Sequence, residues 1–224
     1  MVDDPSRLLL ALQHGDSAFP AGQFAFSWGL EGLAADGRLH GEATIVAAMS
    51  EQLHRRWASF DRVALRRAHA ASDLDAACAV DAEVERMSLV ATARAGSRQA
   101  GRSLLGVHAR LGTAGAAAFR NRVADATTPG HLPVAQGVVA RGLGFDPAVA
   151  ETLSAWTLLS GLASAAVRLG LIGHVAAQAM LTRLCAEAAD LLARQPPAEM
   201  HAFTRLADIA MARHAARELR LFAT

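Results

Sequence analysis

Residues 42–71 read EATIVAAMSEQLHRRWASFDRVALRRAHAA. Large apolar side chains recur in this stretch at steps of three and four residues, at Ile45, Met49, Leu53, Trp57, Phe60 and Ala64. Side chains at this spacing lie on one face of an α-helix. The stretch therefore predicts a long amphipathic helix whose apolar face packs against a core.

Helical periodicity covers most of the remaining chain. The predicted helices are Ser6–His14, Phe24–Ala35, Asp73–Met87, Ser88–Arg110, Thr113–Arg122, one that Pro133 opens, one from Asp146-Pro147 to Arg168, His174–Arg194 and Phe203–Leu219. Aromatic residues make up only 5% of the 224 residues and no stretch predicts a strand, which disfavours a β-sandwich. We expect one all-α domain over residues 1–224, with about eight to ten helices in an orthogonal or bundle-like arrangement and no sheet.

Charge and hydropathy exclude several classes of protein. The net charge is +1, all basic residues are Arg, and no long basic run suggests a nucleic-acid binder. The apolar stretch 153–167 is too short to span a bilayer before Arg168 interrupts it. The first residues do not resemble a signal peptide, so we expect a cytoplasmic protein. Cys78 and Cys185 lie in apolar contexts and are predicted to be buried free thiols.

No pattern of catalytic residues is present. The chain has no GxSxG motif, and a GxxxxGK phosphate loop is excluded because there is no Lys. No two of the nine histidines are three to five residues apart, the spacing of a helical metal site. We therefore expect no enzyme activity, no cofactor and no metal site. A metal site built from distant histidines, or an enzyme of unknown type, stays open.

Two segments have unusual compositions. Residues 19–31 read FPAGQFAFSWGLE, where a helix would place Phe24 and Trp28 on one face and Phe26 on another. Such a helix either packs on both sides inside the core or exposes one aromatic face to a partner. The basic, amphipathic end of the chain, residues 213–222, is either a frayed helix or a segment that orders on binding.

These segments carry a resemblance to a known family. Residues 20–31, PAGQFAFSWGLE, resemble the N-terminal signature of the UreF family of urease accessory proteins. Further similar stretches follow in order: 94–105 RAGSRQAGRSLL, 131–137 HLPVAQG, 165–173 AAVRLGLIG and the C-terminal residues. Within them the matching motif positions are Pro20, Gly22, Gly29, Arg168 and Gly173. The chain departs from the family pattern at Gly170 (usually Pro), His174 (Gln), Trp156 (Tyr) and Thr224 (Ser).

The resemblance implies a function and a set of site residues. UreF proteins are helical and usually dimeric, and with UreD (also called UreH) they recruit the GTPase UreG to apo-urease for nickel insertion. The protein would then act as a scaffold and regulator of the GTPase. The implied partner-binding residues are Phe24, Ser27, Glu31, Arg213, Arg220, Leu221 and Phe222, with a tail, 217–224, that is mobile when unbound. The implied homodimer interface contains Thr152, Trp156 and Leu159.

An alternative keeps the fold and changes the function. An unrelated all-α interaction scaffold or transcription-factor effector domain, without any nickel role, would show the same helical periodicity. A neighbouring urease operon would distinguish the two.

Overall fold

The computed structural model describes residues 4–21, 26–214 (without the side chain of His214) and 221–222. The helices are α1 Pro5–Gly15, α2 Leu30–Ala35, α3 Glu42–Gln52, a π-helical segment Leu53–Asp61, α4 Arg62–Ala70, α5 Leu74–Met87, α6 Ala91–Arg110, α7 Ala116–Ala124, α8 Leu132–Gly142, α9 Pro147–Arg168, α10 His174–Leu192 and α11 Arg205–His214. These three ranges contain no strand, so the all-α prediction is confirmed. Because α3, the π segment and α4 are continuous, the number of separate helices agrees with the prediction.

The continuous helix from Glu42 to Ala70, here called the rod, lies at the centre of the fold. All six apolar residues that predicted its buried face are at most 1% exposed. Its first half packs with α9 and α10 in one core cluster that includes Met49, Leu162 and Leu184. Its second half packs in another cluster with Leu105 and Phe119. The rod therefore joins the two largest core clusters.

The middle of the rod is buried on more than one face. Residues 57–60 in the π segment and residues 62–65 at the start of α4 are each four consecutive buried positions, which a single helical face cannot provide. Main-chain carbonyls of the π segment also accept hydrogen bonds from outside the rod, since His201 N donates to Ser59 O and Phe203 N donates to Arg55 O, both at 3.0 Å. The π segment thus fixes the non-helical residues that lead into α11.

A buried ion pair ties the rod to α9 and α10. Arg62 Nε lies 2.6 Å from Glu151 Oε2, and both side chains are only 3% exposed. The Arg62 guanidinium also donates to the main-chain carbonyls of Leu191, Leu192 and Arg194 at the C-terminal end of α10. Arg66 Nη1 lies 3.2 Å from the other oxygen of Glu151, as an ion contact and not as a directed hydrogen bond. These bonds satisfy a charge that would otherwise be costly to bury.

Two glycines explain why two of the resembling stretches need small residues. A Cβ on Gly101 of α6 would overlap the carbonyl oxygen of Gly130, and a Cβ on Gly137 of α8 would lie 2.5 Å from Leu65 O. Helices α6 and α8, and α8 and the rod, therefore approach each other at a distance that excludes any side chain.

Several predicted helix boundaries are wrong. The helix predicted over Phe24–Ala35 begins only at Leu30, because Trp28 (φ +48°) and Gly29 (φ +93°) have left-handed backbone conformations. Phe26 is buried and Trp28 is partly buried beside it, with ring centroids 5.5 Å apart, so helical faces do not describe their positions. Phe24 lies outside the described residues.

Other predictions concern α6, α7 and the cysteines. Helix α6 begins at Ala91 instead of Ser88, and α7 at Ala116 instead of Thr113, after the left-handed Gly115. The two cysteines are free as predicted, but they are only partly buried. No helix in the described part of the chain is long and apolar enough to cross a membrane.

We predict that Arg62→Ala lowers the free energy of unfolding by about 3–5 kcal/mol, because it leaves the Glu151 carboxylate buried without its main partner. Arg122→Ala is the control, since Arg122 pairs with Asp75 where the side chains are 42% and 81% exposed. Its expected cost is about 1 kcal/mol or less. Urea unfolding measures both, and equal losses for the two variants would refute the importance of the buried pair.

Candidate functional site

A polar site lies where α2 meets residues 221 and 222. The Glu31 side chain accepts hydrogen bonds from two consecutive main-chain amides, Leu221 N at 2.7 Å and Phe222 N at 3.2 Å. Glu31 is only 7% exposed. Hydrogen bonds from neutral donors to a buried carboxylate are among the stronger ones in proteins. Glu31 therefore holds the main chain of the C-terminal region against the body of the protein.

Phe222 enters the core from this site. Its side chain is 4% exposed and belongs to the core cluster formed by the rod, α9 and α10. The Arg168 guanidinium, at the end of α9, lies 4.2 Å from the centroid of the Phe222 ring. A cation over an aromatic face is attracted to the ring quadrupole, which stabilises this arrangement.

The start of α2 positions Glu31 and also α11. Ser27 is fully buried, and its Oγ accepts a long hydrogen bond, 3.4 Å, from Glu31 N. Gly29 and Gly32 press against α11, since a Cβ on Gly32 would lie 2.7 Å from Ala210 O. The structure thus brings together Ser27, Gly29, Glu31, Arg168 and Phe222, which the sequence analysis had singled out separately. Ser27, Glu31 and Phe222 are buried here, so they hold the site from inside.

An exposed apolar stripe lies on the outer side of α11. Phe203, Leu206 and Ile209 are 58%, 45% and 46% exposed, at three-residue steps. The opposite face of α11 is buried through Ala207, Ala210 and Met211. These three residues were not among the predicted partner-binding residues, although their Phe-x-x-Leu-x-x-Ile spacing can be read from the sequence. An apolar face of this kind is typical of a contact surface for another protein.

Two predicted partner-binding side chains are exposed near these elements. Leu221 is 65% exposed beside the buried Phe222. The Arg213 side chain is 66% exposed, with Nη1 3.9 Å from Asp36 Oδ2. Phe24 and Arg220 lie outside the described residues, as does Gly22. Of the other motif positions, Pro20 is exposed in the loop after α1, and Gly173 immediately precedes α10.

The predicted dimer residues are divided between surface and core. Thr152 is exposed, Trp156 is 38% exposed, and Leu159 is buried in the core cluster of α9 and α10. Trp156 Nε1 donates a 2.7 Å hydrogen bond to Gly15 O and so anchors the end of α1. Leu159 has no exposed surface with which to contact a second chain in this structure.

Helices α1 and α9 border an apolar groove of about 1220 Å³ that includes Thr152 and Trp156. Helix α1 has no buried residue, and Leu8 and Leu12 are 46% and 61% exposed. An amphipathic helix with an uncovered apolar side is unusual on a protein that functions alone.

The buried acidic group Asp81 serves the fold. It is fully buried and accepts hydrogen bonds from Thr128 Oγ1 (2.6 Å), Gly130 N (2.5 Å) and His131 N (2.9 Å). His131 Nε2 lies 2.8 Å from Glu85 Oε2, and burial lowers the pKa of His131. Because these groups have partners, the network orders the turn before α8. In the described ranges, no group of three or more His, Cys, Asp or Glu side chains could hold a metal ion.

A pair of histidines connects α1 to α6. The His14 and His108 rings stack with centroids 5.1 Å apart, beside a cavity of about 60 Å³. His108 is fully buried, and neither Nε2 atom has a hydrogen-bond partner. Burial, and to a smaller extent His14, lowers the pKa of His108 to about 4. A pairing between positions so distant in the chain leaves no local pattern in the sequence from which it could be predicted.

Comparison with known proteins identifies the family. The UreF family model matches residues 39–185, which is most of the chain. The chain belongs to the UreF family. Three similar proteins, each named urease accessory protein UreF, come from Allorhizobium ampelinum, Trichodesmium erythraeum and Cereibacter sphaeroides. The first is 33% identical over 92% of this chain and 91% of its own length. The second is 31% identical over 81% and 80%, and the third is 31% identical over 98% and 100%.

We predict that His108 makes this UreF family member less stable in mild acid. The unfolded His108 titrates near 6.5 and the folded one near 4, so between these values only the unfolded state gains a proton. The free energy of unfolding should therefore fall as the pH decreases from about 6.5 towards 4. His108→Gln should make this fall shallower.

Urea unfolding at several pH values measures the effect. His40→Gln, which replaces an exposed histidine, should keep the wild-type pH profile. A profile for His108→Gln that matches wild type would contradict the assignment.

Proposed function

We propose that this chain is a urease maturation factor that works through binding other proteins. With UreD (UreH) it would recruit the GTPase UreG to apo-urease for nickel insertion, and it would regulate GTP hydrolysis without being an enzyme itself. Membership of the UreF family and relatives named urease accessory proteins support this role. The cytoplasmic location stays a prediction. The earlier alternative, a scaffold unrelated to UreF, is excluded by the family membership.

The exposed stripe of Phe203, Leu206 and Ile209 is the observation that carries the proposed contact with UreD. Burying these three large apolar side chains contributes roughly several kcal/mol to the free energy of association. Two sets of contacts hold α11 in place. The π segment accepts hydrogen bonds from the main chain of residues 201 and 203, and Gly29 and Gly32 pack closely against Ala207 and Ala210 of α11. A surface that is ordered before binding loses less conformational entropy on association.

The C-terminal region contributes through Leu221. Because Phe222 is already in the core, the adjacent Leu221 is the side chain that offers apolar surface to a partner. Ser27 and Glu31 would act indirectly, because they hold residues 221 and 222 in place. Phe24, Arg213 and Arg220 stay predicted contacts.

Among the described residues, the buried charged side chains of Arg62, Asp81 and Glu151 bond to the main chain or to each other. In this proposal nickel is a cargo that the assembled proteins deliver. No residue is assigned to hold it.

The groove between α1 and α9 supports a homodimer in which a second copy covers Leu8, Leu12 and the exposed part of Trp156. Thr152 lies on the same surface. Leu159, the third residue of the predicted interface, would support α9 from the core.

We predict that Leu206→Glu and Ile209→Glu each abolish co-purification with UreD, because they place a carboxylate in the apolar contact. The same variants should fail to restore activity to a urease operon that lacks its own UreF. Val175→Glu is the matched control, since Val175 is 85% exposed on α10. Circular dichroism should show unchanged helicity in all three variants.

Leu221→Ser tests the C-terminal contact more sharply than deletion of residues 217–224, because deletion also removes Phe222 from the core. Normal UreD binding by both α11 variants would refute the proposed surface. Failure of the wild-type chain to restore urease activity would refute the proposed function.

For the dimer, we predict that Thr152→Arg shifts the chain to monomer in sedimentation velocity. The control is Thr182→Arg, because both threonines are exposed and both hydroxyls donate to a carbonyl four residues earlier. Trp156→Asp should also give monomer, but it removes the bond to Gly15 as well. An intact dimer for Thr152→Arg and Trp156→Asp would rule out this interface.

A further inference from the structure

The corner between α5 and α6 presents an isolated apolar side chain to solvent. Leu89 is 89% exposed, the highest value for any large apolar side chain in the described ranges, and the nearby Met87 is 38% exposed. Exposure of a single leucine is common on protein surfaces. The environment of Leu89 is what distinguishes it.

The main chain around Leu89 is fixed. Arg94 Nη1 donates to Ser88 O at 2.6 Å and to Leu89 O at 3.2 Å. Arg94 Nε lies 3.5 Å from Glu85 Oε1, and Ser88 is buried beneath the turn. Leu89 is therefore held outward by its neighbours, and a partner that covers it would order little additional chain.

Positive charge surrounds this leucine. Arg94, Arg98 and Arg102 occur at every fourth position of α6, so they lie along one side of the helix. Arg86, at the end of α5, is also exposed. Glu85 pairs with both Arg94 and Arg98, each at 3.5 Å, so one carboxylate is shared between two of these guanidinium groups. The whole chain has a net charge of only +1, so this corner is a local concentration of positive charge.

The first turn of α6 adds to this potential. Its N-cap, Val90, has no side chain that could accept from the free amides of the first turn. The N-terminal end of a helix favours negative charge. Ser88 Oγ and Thr92 Oγ1 are buried beside it without hydrogen-bond partners. A carboxylate supplied from another molecule would stabilise the free amides of the first turn, whereas the two buried hydroxyls lie beyond its reach.

We propose that the α5–α6 corner is a docking surface for an acidic protein segment that carries an apolar side chain among its carboxylates. The apolar side chain would cover Leu89 and Met87, while the carboxylates would contact Arg98 and Arg102. Among the described residues at this corner none is an aromatic side chain on which a base could stack, which disfavours RNA. Its apolar part is two side chains, too small for a membrane-binding face. It uses other residues than the α11 stripe and the α1–α9 groove, so it does not depend on the proposed function.

The test uses the full chain and a fluorescein-labelled peptide made of Asp, Glu and Leu, with fluorescence anisotropy as the readout. Leu89→Ser and Arg102→Glu should each weaken binding about tenfold or more, the effect of losing one buried leucine or reversing one paired charge. Leu111→Ser and Arg110→Glu are the matched controls. Leu111 is 61% exposed just after α6, and Arg110 is the exposed last residue of α6. Both controls should bind as wild type does.

Three results would overturn the proposal. The first is no binding of the acidic peptide, or equal binding of a peptide in which Lys replaces Asp and Glu. The second is an equal loss of affinity in the test and control variants. The third is that Leu89→Ser and Arg102→Glu weaken binding of an RNA oligonucleotide, or of phosphatidylserine-containing vesicles, and leave peptide binding unchanged.

Discussion

The fold depends on one buried charge, the guanidinium of Arg62. It satisfies Glu151 on α9 and three carbonyls at the end of α10, and it does so from the middle of the rod. A buried guanidinium is tolerated only where its donors are nearly all used, so the positions of three helices are fixed together. The two largest core clusters both include residues of the same rod, and Leu30 of α2 and Phe222 pack in one of them.

The C-terminal region illustrates how buried and exposed residues share a function. Glu31 and Arg168 hold Phe222, and this leaves Leu221 outside. Residues that resemble a family's binding motif can therefore matter through the shape of the surface without touching a partner. In a protein that acts by binding, a substitution therefore has a different meaning at a buried residue that shapes the surface than at an exposed residue that contacts the partner. Changing Glu31 alters the surface, whereas changing Leu221 alters a contact.

Apolar spacing was sufficient to predict the rod and the all-α fold, because burial of one helical face is a local property of the sequence. The resembling motifs also indicated Ser27, Glu31, Arg168 and Phe222. What could not be predicted depends on contacts between distant positions, such as the stacking of His14 on His108. The predicted start of the helix that begins at Leu30 was wrong for a different reason. Trp28 has a left-handed backbone conformation, which is contrary to the preference of its residue type.

The hydrogen bonds between the π segment and residues 201–203 have a mechanical consequence. Arg55 O and Ser59 O hold the approach to α11, and Arg62 follows less than one turn later on the same rod. A force applied to α11 by a bound protein is therefore transmitted through the main chain to the turn that carries the buried guanidinium. Tension on α11 would therefore act directly on the centre of the molecule, as well as on α2, against which α11 also packs.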